Sequence, residues 1–373
     1  MANRTRVVLL FGGRSAEHDV SRVTAVSVAK ALDPTKYDVI PVAITTDGAW
    51  LHADEAAALL DGERDALPTA FSIQGTPLIA PTDPNRAQLT PLDGAPSMAV
   101  DVVLPLLHGP YGEDGTVQGL LELAGLPYVG SGVLGSAVCM DKRMMKQALR
   151  ASGLPVARDV IHRDGHAVAA SVEAAEHEFS YPMFVKPANM GSSVGVSKAR
   201  NRDELIDAVA LAVEYDEWVL IEEMIGGREI EVAILGDDPP RPSVPGEIVP
   251  GAEFYSYADK YESDAAELHA PARISQAATA EVQALAVAAF AACGCEAMAR
   301  VDFFYETEPA TPGRAPRGFV INELNTIPGF TPISMYPRLW AESGLAYPQL
   351  LDELIGLAQQ RHARRSMRAG KQR

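Results

Sequence analysis

Apolar and polar positions along this chain follow two rhythms: short continuous apolar runs, and longer stretches with helical spacing. Residues 6–12 read as a strand running into a glycine-rich turn. Residues 20–32 read as a helix with Ser21 near its start, stopped by Asp33-Pro34, and residues 37–44 as the next strand. A strand–helix–strand order of this kind opens a parallel sheet. Residues 53–99 are rich in Pro, Ala, Asp and Thr and are expected to form an elaborated surface region, poorly ordered in parts. Residues 100–107 are expected as a buried strand ending at His108, followed by a helix over 115–126 and a glycine-rich connection over 128–135.

The pattern then changes. A helix over 141–152 ends at Gly153-Leu154-Pro155. Strands are expected over 182–187 and 194–198 with a Gly/Ser loop between them, then a helix over 202–215 and a strand over 218–224. Further strands follow over 228–235 and 243–249, and an Ala-rich helix over 279–292. From Tyr336 the chain is mostly helical, with a basic tail from Arg361 that is expected to fray. The class is α/β and α+β: an N-terminal parallel-sheet α/β domain followed by two α+β lobes, with boundaries expected at 1–138, 139–224 and 225–373.

Residues 300–329 carry the densest chemistry. Two strand-type runs, R-V-D-F-F and F-V-I-N-E-L-N, flank a polar insert and read as a hairpin. Glu323 and Asn325 are two apart and share a strand face, and Asp302 can meet them from the neighbouring strand. Three hard oxygen ligands on one face suit Mg²⁺, which commonly holds a nucleotide's phosphates as well. A solvated acidic hairpin is the plain alternative. A carboxylate between Ile321 and Leu324 is an unusual choice for one.

Composition narrows the classes. The net charge is −17, from 32 Lys+Arg against 49 Asp+Glu, which opposes a broad nucleic-acid surface and a basic membrane anchor. No apolar run approaches a membrane span, and the run 7–11 is too short for a signal-peptide core, so the expectation is a cytoplasmic protein without nucleic-acid or membrane partners. Cys139, Cys293 and Cys295 lack zinc-knuckle spacing and are expected as buried thiols.

Two further motifs suit a nucleotide. M-F-V-K-P-A-N-M-G-S-S-V-G puts Lys186 at a strand end and Gly191-Ser192-Ser193 in the next turn, where small residues let backbone N–H groups approach phosphate. V-L-I-E-E-M-I-G-G-R-E places Glu222 and Glu223 at a strand end, with Glu229 a further acid, where carboxylates can accept from an amino group or a ribose hydroxyl. Taken singly, the first also suits a plain turn and the second an exposed acidic hairpin. Neither a Walker loop nor G-x-G-x-x-G is present.

Together these motifs resemble the ATP-grasp superfamily, in which two α+β lobes clamp ATP. More narrowly, the chain resembles the D-alanine–D-alanine ligase family. The segments 9–21 (L-L-F-G-G-R-S-A-E-H-D-V-S), 107–116 (L-H-G-P-Y-G-E-D-G-T), 140–142 (M-D-K), 186–195 (K-P-A-N-M-G-S-S-V-G), 253–261 (E-F-Y-S-Y-A-D-K-Y) and 322–331 (N-E-L-N-T-I-P-G-F-T) match that family's pattern in order.

The resemblance implies ATP-driven joining of two D-alanines through an acyl phosphate, in the service of peptidoglycan precursors. It implies Asp302, Glu323 and Asn325 as ligands of two Mg²⁺ or Mn²⁺ ions, and K⁺ as a candidate further cation. Lys142, Lys186, Ser193, Glu222, Glu223, Ile225, Glu229 and Lys260 fall at ATP contacts. Glu17 and His108 fall at the first D-alanine, and Ser334 and Met335 at the second one's carboxylate; the family usually has Leu where Met335 stands. Arg300 and the backbone of Gly329 match groups that stabilise the acyl phosphate and the tetrahedral oxyanion. Ser192, Glu17 and Tyr261 match a hydrogen-bonded set that ties a mobile lid, 250–263, to the N-terminal domain. The Lys260-Tyr261 pair, not kept in this form in the relatives that make D-alanyl–D-lactate, points to D-alanine as second substrate; the D-lactate- and D-serine-forming relatives are the nearest alternative. A homodimer is the family's expectation. A non-catalytic ATP-binding relative and a nicotinamide-dependent dehydrogenase are the more distant alternatives. Arg300 with its three metal ligands opposes the former, and the missing glycine spacing the latter.

Overall fold

The computed structural model describes residues 4–60, 68–249, 267–308, 315–331 and 333–368. The chain opens with β1 (Thr5–Gly12), α1 (His18–Ala31), β2 (Tyr37–Ile44), β3 (Trp50–His52), α2 (Asp54–Leu60), β4 (Thr76–Ile79), β5 (Gln88–Pro91), β6 (Met98–Ala99), β7 (Val102–Pro105) and α3 (Thr116–Leu123). These strands form one sheet in the order β6-β5-β4-β3-β2-β1-β7. β1 lies between β2 and β7 and is parallel to both. Its run Val7 to Phe11 is fully buried, as a parallel strand covered on both faces must be.

The described residues of the region 53–99 are an elaboration of the sheet and more regular than expected, and 61–67 lie outside the described residues. The region's three short strands extend the sheet from β3 as an antiparallel meander. They bury Leu78 and Leu89, and Phe71 is fully enclosed against Phe11. Strands of two to four residues containing Pro77 and Pro91 are too short for alternation to register in the sequence.

The next segment holds α4 (Val133–Met140), α5 (Lys142–Ala151), β8 (Asp159–Arg163), α6 (Val168–Glu178), β9 (Met183–Pro187), β10 (Ser197–Ala199), α7 (Arg202–Val213) and β11 (Trp218–Glu223). Its strands make an antiparallel sheet, β10-β9-β11-β8. Asp141 caps α5 by accepting from the Met144 N–H at 3.0 Å, and Asn201 caps α7 by accepting from Glu204 at 3.0 Å. β10 begins at Ser197 rather than 194, because residues 191–196 are tied into turns by Val194 N–H to Gly191 and Val196 N–H to Ser193. α4 begins inside the expected glycine-rich connection, and β8 and α6 are elements the sequence pattern did not suggest.

The third sheet is built from β12 (Arg228–Leu235), β13 (Arg241–Pro242), β14 (Gly246–Val249), β15 (Glu267–His269), β16 (Met298–Glu306) and β17 (Gly318–Asn325). Its order is β15-β14-β12-β16-β17, with β13 also on β12. The helix α8 (Gln276–Ala292), capped by Ser275, buries Val282, Ala286, Ala289 and Phe290 against it. The expected strand over 243–249 starts only at Gly246, directly after Pro245, which has no N–H to give a ladder. Cys139, Cys293 and Cys295 are buried free thiols, with Cys139 Sγ and Cys295 Sγ 3.4 Å apart.

The chain closes with α9 (Met335–Glu342) and α10 (Tyr347–Ser366). The basic end of α10 is not frayed. Arg361 is buried and donates to the carbonyls of Tyr128 at 2.7 Å and Gly130 at 2.5 Å. Arg365 pairs with Glu296 at 2.6 Å and Glu122 at 3.0 Å, and Arg364 with Asp237 at 2.9 Å. These ion pairs therefore fasten the last helix to the first sheet's unit and the third sheet, with Arg361 buried and Arg364 still half-exposed; residues 369–373 of the basic tail lie outside the described residues. Among the described residues no helix is long and apolar enough to cross a membrane.

Replacing Arg361 with Ala removes a buried charge and strips two interior carbonyls of this donor. The expected loss is roughly 2–4 kcal/mol of unfolding free energy, read as a lower urea midpoint with unchanged slope. A loss under about 0.5 kcal/mol, the range of an ordinary surface substitution, would return the tail to the frayed state.

Candidate active site

A cleft of about 400 Å³ opens between the second and third sheets. One wall carries Lys142, Lys186, Ser192, Ser193, Glu222, Glu223 and Ile225; the other carries Glu229, Asp302 and Glu323. Lys142 stands at the first turn of α5, its Nζ donating to the Met190 carbonyl at 2.6 Å. Ser192 and Ser193 both hold positive φ, 48° and 59°. Two consecutive non-glycine residues in that region are uncommon and cluster at functional loops.

Glu222 and Glu223 point to opposite faces of β11, as adjacent strand residues do. Glu222 pairs with Lys146 at 2.5 Å and Lys186 at 2.8 Å, and Lys146 also pairs with Asp159 at 3.1 Å. Burial would raise the Glu222 carboxyl, but the two lysines outweigh it and bring it down to about 2. The lysines respond differently. Burial prevails at Lys146, lowered to about 8, whereas at Lys186 the surrounding carboxylates outweigh burial and raise it. Glu223 accepts from Arg158 at 2.9 Å and Arg317 at 2.8 Å. Both residues border the cleft, and both side chains are already engaged by cations.

The acidic wall follows from strand register. Glu231 lies opposite Asp302, and Asp302 opposite Glu323, across β12, β16 and β17. Arg300 donates to Asp302 from Nε at 2.7 Å and Nη2 at 2.8 Å, and its Nε is 3.2 Å from Glu231. Burial alone would lower the Arg300 guanidinium; Asp302 and Glu231 reverse that and raise it well above its usual value. A bulge between Asp302 and Phe303 turns both Asn322 and Glu323 toward the cleft, where Asn322 accepts from Lys186 at 3.2 Å.

This face fits a divalent cation. Asn325 donates Nδ2 to Asp302 at 2.9 Å, which makes its Oδ1 the ligating end beside two carboxylates. Among the described residues no group of three or more His, Cys, Asp or Glu is arranged to hold a metal unaided. Two carboxylates and one amide suit an ion such as Mg²⁺ that keeps oxygens from phosphate and water in its shell.

The remaining expected residues gather where the first sheet meets the other two. Glu17, at the start of α1, accepts from Ser192 Oγ at 2.5 Å. A Cβ on Gly109 would lie 3.1 Å from Glu17 Oε2, and one on Gly191 2.9 Å, so both glycines make room for that carboxylate. His108 is buried, and burial lowers its imidazole below the usual value. Its Nδ1 lies 3.2 Å from the Ile327 carbonyl. Ser334 immediately precedes α9; its side chain makes no bond to the helix's first turn and instead accepts from the Thr331 N–H at 3.0 Å, and Gly329 packs against it. The Met335 side chain sits in the core beside Gly246, leaving its backbone at the helix start. Lys260, Tyr261 and the 250–263 lid lie outside the described residues.

Several residues here escaped the sequence reading. Glu231 was signalled only by the alternation E-I-E-V on β12, and Asn322 by a bulge no pattern announces. Lys146 and Asp159 come together from α5 and β8, and Glu113 joins the site through backbone contacts alone.

Two sheets closing on a cleft, with lysines on one wall and acids on the other, define an ATP-grasp fold. The family model for the D-ala D-ala ligase N-terminus matches residues 6–131 and that for the C-terminus residues 148–356; the chain belongs to the D-alanine–D-alanine ligase family. The D-alanine–D-alanine ligase of Chloroherpeton thalassium is 46% identical over 376 residues, 98% of this chain and 99% of the relative. That of Mycolicibacterium smegmatis is 48% identical over 371 residues, 95% of each. Among solved structures, the D-alanine-D-alanine ligase of Coxiella burnetii superposes with a TM-score of 0.83 at 36% identity, covering 98% of this chain and 97% of that one. The VanG D-Ala:D-Ser ligase of Enterococcus faecalis superposes with 0.81 at 36%, covering 95% and 100%.

The Glu222 carboxyl, about 2 when folded against an ordinary 4.5, contributes stability fully above pH 4.5 and loses it as the pH falls through 2. Parent and Glu222→Gln are expected to differ by on the order of 3 kcal/mol in unfolding free energy at pH 7. Urea titrations at pH 6, 4.5 and 3 should show that difference shrinking by more than half. A difference that stays constant would contradict the lysine clamp.

Proposed function

We propose that this chain is an ATP-dependent ligase that joins two D-alanines through a D-alanyl phosphate, supplying a peptidoglycan precursor. The observation that carries the reading is the cleft in which Lys142, Lys186 and the Ser192-Ser193 turn oppose Asp302 and Glu323, with Arg300 on the same acidic face.

In this reading the carboxylate of the first D-alanine attacks the γ-phosphorus of ATP and ADP departs. The amine of the second then attacks the acyl carbon, loses a proton, and phosphate leaves. Divalent ions, Mg²⁺ or Mn²⁺, held by Asp302, Glu323 and Asn325, would offset phosphate charge as it moves between groups. Lys142 and Lys186 hold the phosphates, Lys260 reaches the γ-phosphate, and Ser193 adds donors from the turn. Glu222, Glu223, Ile225 and Glu229 form the adenine and ribose end, with Ile225 as the apolar contact.

Glu17 takes the ammonium of the first D-alanine, with His108 beside it. Arg300, oriented by Asp302 and Glu231, faces the acyl phosphate and then the tetrahedral oxyanion, to which the Gly329 N–H also donates. Ser334 and the Met335 N–H, at a helix start, take the second carboxylate. Tyr261 completes a set with Glu17 and Ser192 that closes the 250–263 lid and keeps water from the acyl phosphate. Domains of 1–138, 139–224 and 225–373, a homodimer, a cytoplasmic location and a role for K⁺ complete the proposal.

The test is ADP release with D-alanine, D-serine and D-lactate, and mass spectrometry of the products. D-alanine alone should yield the dipeptide, and chelation of divalent ions should stop turnover. A preference for D-lactate or D-serine as second substrate would move the chain to the other specificity of the family, and ATP binding without ADP release would mark a non-catalytic relative. Arg300→Ala should still bind ATP but lose about 10²–10³ in kcat, and near-parent turnover would remove Arg300 from the chemistry.

A further inference from the structure

Glu113 lies in the loop between β7 and α3, outside every role given above. Its carboxylate is the meeting point of two backbone donors. Oε2 accepts from the Gly109 N–H at 2.9 Å, and Oε1 from the Ile327 N–H at 3.1 Å. Gly109 belongs to the first sheet's unit and sits against Glu17, while Ile327 is buried in the loop after β17, two residues before Gly329. Burial and the nearby Glu17 push this carboxyl up to about 8, and the two N–H donors oppose that shift, since the ionised form accepts at both oxygens without presenting a donor of its own.

The other side of the same Ile327 peptide is held by His108, whose Nδ1 is 3.2 Å from its carbonyl. A carbonyl only accepts, so Nδ1 must carry the proton. Burial disfavours the charged imidazole, which leaves Nε2 as a bare acceptor. That Nε2 is buried and has no protein partner among the described residues. Ser15 Oγ donates to the His108 carbonyl at 2.6 Å and fixes the backbone beneath the ring.

We propose that Glu113 is a positioning residue: by pinning the Ile327 peptide to the Gly109 turn, it sets the tautomer and direction of His108 and the path of the loop to Gly329. This rests on the ligase reading, in which His108 and Gly329 face the first D-alanine and the tetrahedral oxyanion. Glu113→Gln preserves the shape but must turn an NH₂ group toward one of the two donors, so one clamp bond is lost.

The measurement combines kinetics with histidine ¹⁵N spectra of the ligand-free protein. Parent should show the His108 signal, assigned by its disappearance in His108→Ala, as the Nδ1-protonated neutral tautomer. Glu113→Gln should shift it toward a mixture. Its kcat should fall about 10–100-fold, the cost of a misplaced reacting group, with ATP affinity by calorimetry within about twofold of parent. In a His108→Ala background the same substitution should cost much less, since the two act through one peptide. An Nε2-protonated His108 in the parent, unchanged turnover in Glu113→Gln, fully additive effects, or ATP affinity falling in step with turnover would each overturn the assignment. If Glu113→Gln does not fold, Glu113→Asp, which keeps both acceptor oxygens on a shorter arm, takes its place with the same readouts. A parent that makes no dipeptide would instead defeat the ligase reading, and the tautomer result stands apart from it.

Discussion

The register of three adjacent strands is the constraint on which the cleft depends. Glu231, Asp302 and Glu323 face one another across β12, β16 and β17, with Arg300 drawn onto the same face. Beneath them Ile230, Val232, Val301 and Leu324 are buried in one core. A slip of one residue would expose that apolar set and bury the acids, so core packing enforces the placement of charge. Neighbouring carboxylates repel, and the Arg300 guanidinium between Asp302 and Glu231 offsets part of that cost. The bulge after Asp302 is the one departure from regular alternation, and it brings Asn322 beside Lys186 on the opposite wall.

A second constraint joins the first sheet to the rest. Glu17 meets Ser192, Glu113 and His108 hold the Ile327 peptide, and Arg361 reaches back to Tyr128 and Gly130. Each contact crosses between units. The Glu17–His108 end of the cleft is therefore assembled by tertiary hydrogen bonds, whereas the walls built from β11 and from β16 and β17 are laid out mainly by strand pairing. Substitutions at the two ends should differ in character: those at the strands act on charge, and those at the junction act on geometry.

The sequence made the strand-borne chemistry legible, because alternation fixes which residues share a face. Asp302, Glu323, Asn325 and Arg300 were readable from two apolar runs, and Lys186 and Glu222 from their strand ends. Residues 53–99 were not, since strands of two to four residues leave no period to detect, and there burial comes from neighbours across the sheet. The tail from Arg361 misled for a related reason. A run of arginines reads as solvated until Glu122, Glu296 and Asp237 arrive from distant segments. Glu113 and Lys146 were hidden for the same cause, as their partners lie far away in the chain or on the backbone. The resemblance to a known family supplied roles that spacing alone left open, including those of Glu17, whose place at a helix start has an ordinary explanation.

The central claim is that the β16–β17 face holds a divalent ion together with a nucleotide. Its most direct test is an electron paramagnetic resonance titration of Mn²⁺ in the presence of a non-hydrolysable ATP analogue, comparing parent with Asp302→Asn and Glu323→Gln. The account predicts nucleotide-dependent Mn²⁺ binding in the parent and at least about tenfold weaker binding in each variant, with the thermal transition retained. Equal Mn²⁺ affinity in all three proteins would contradict it.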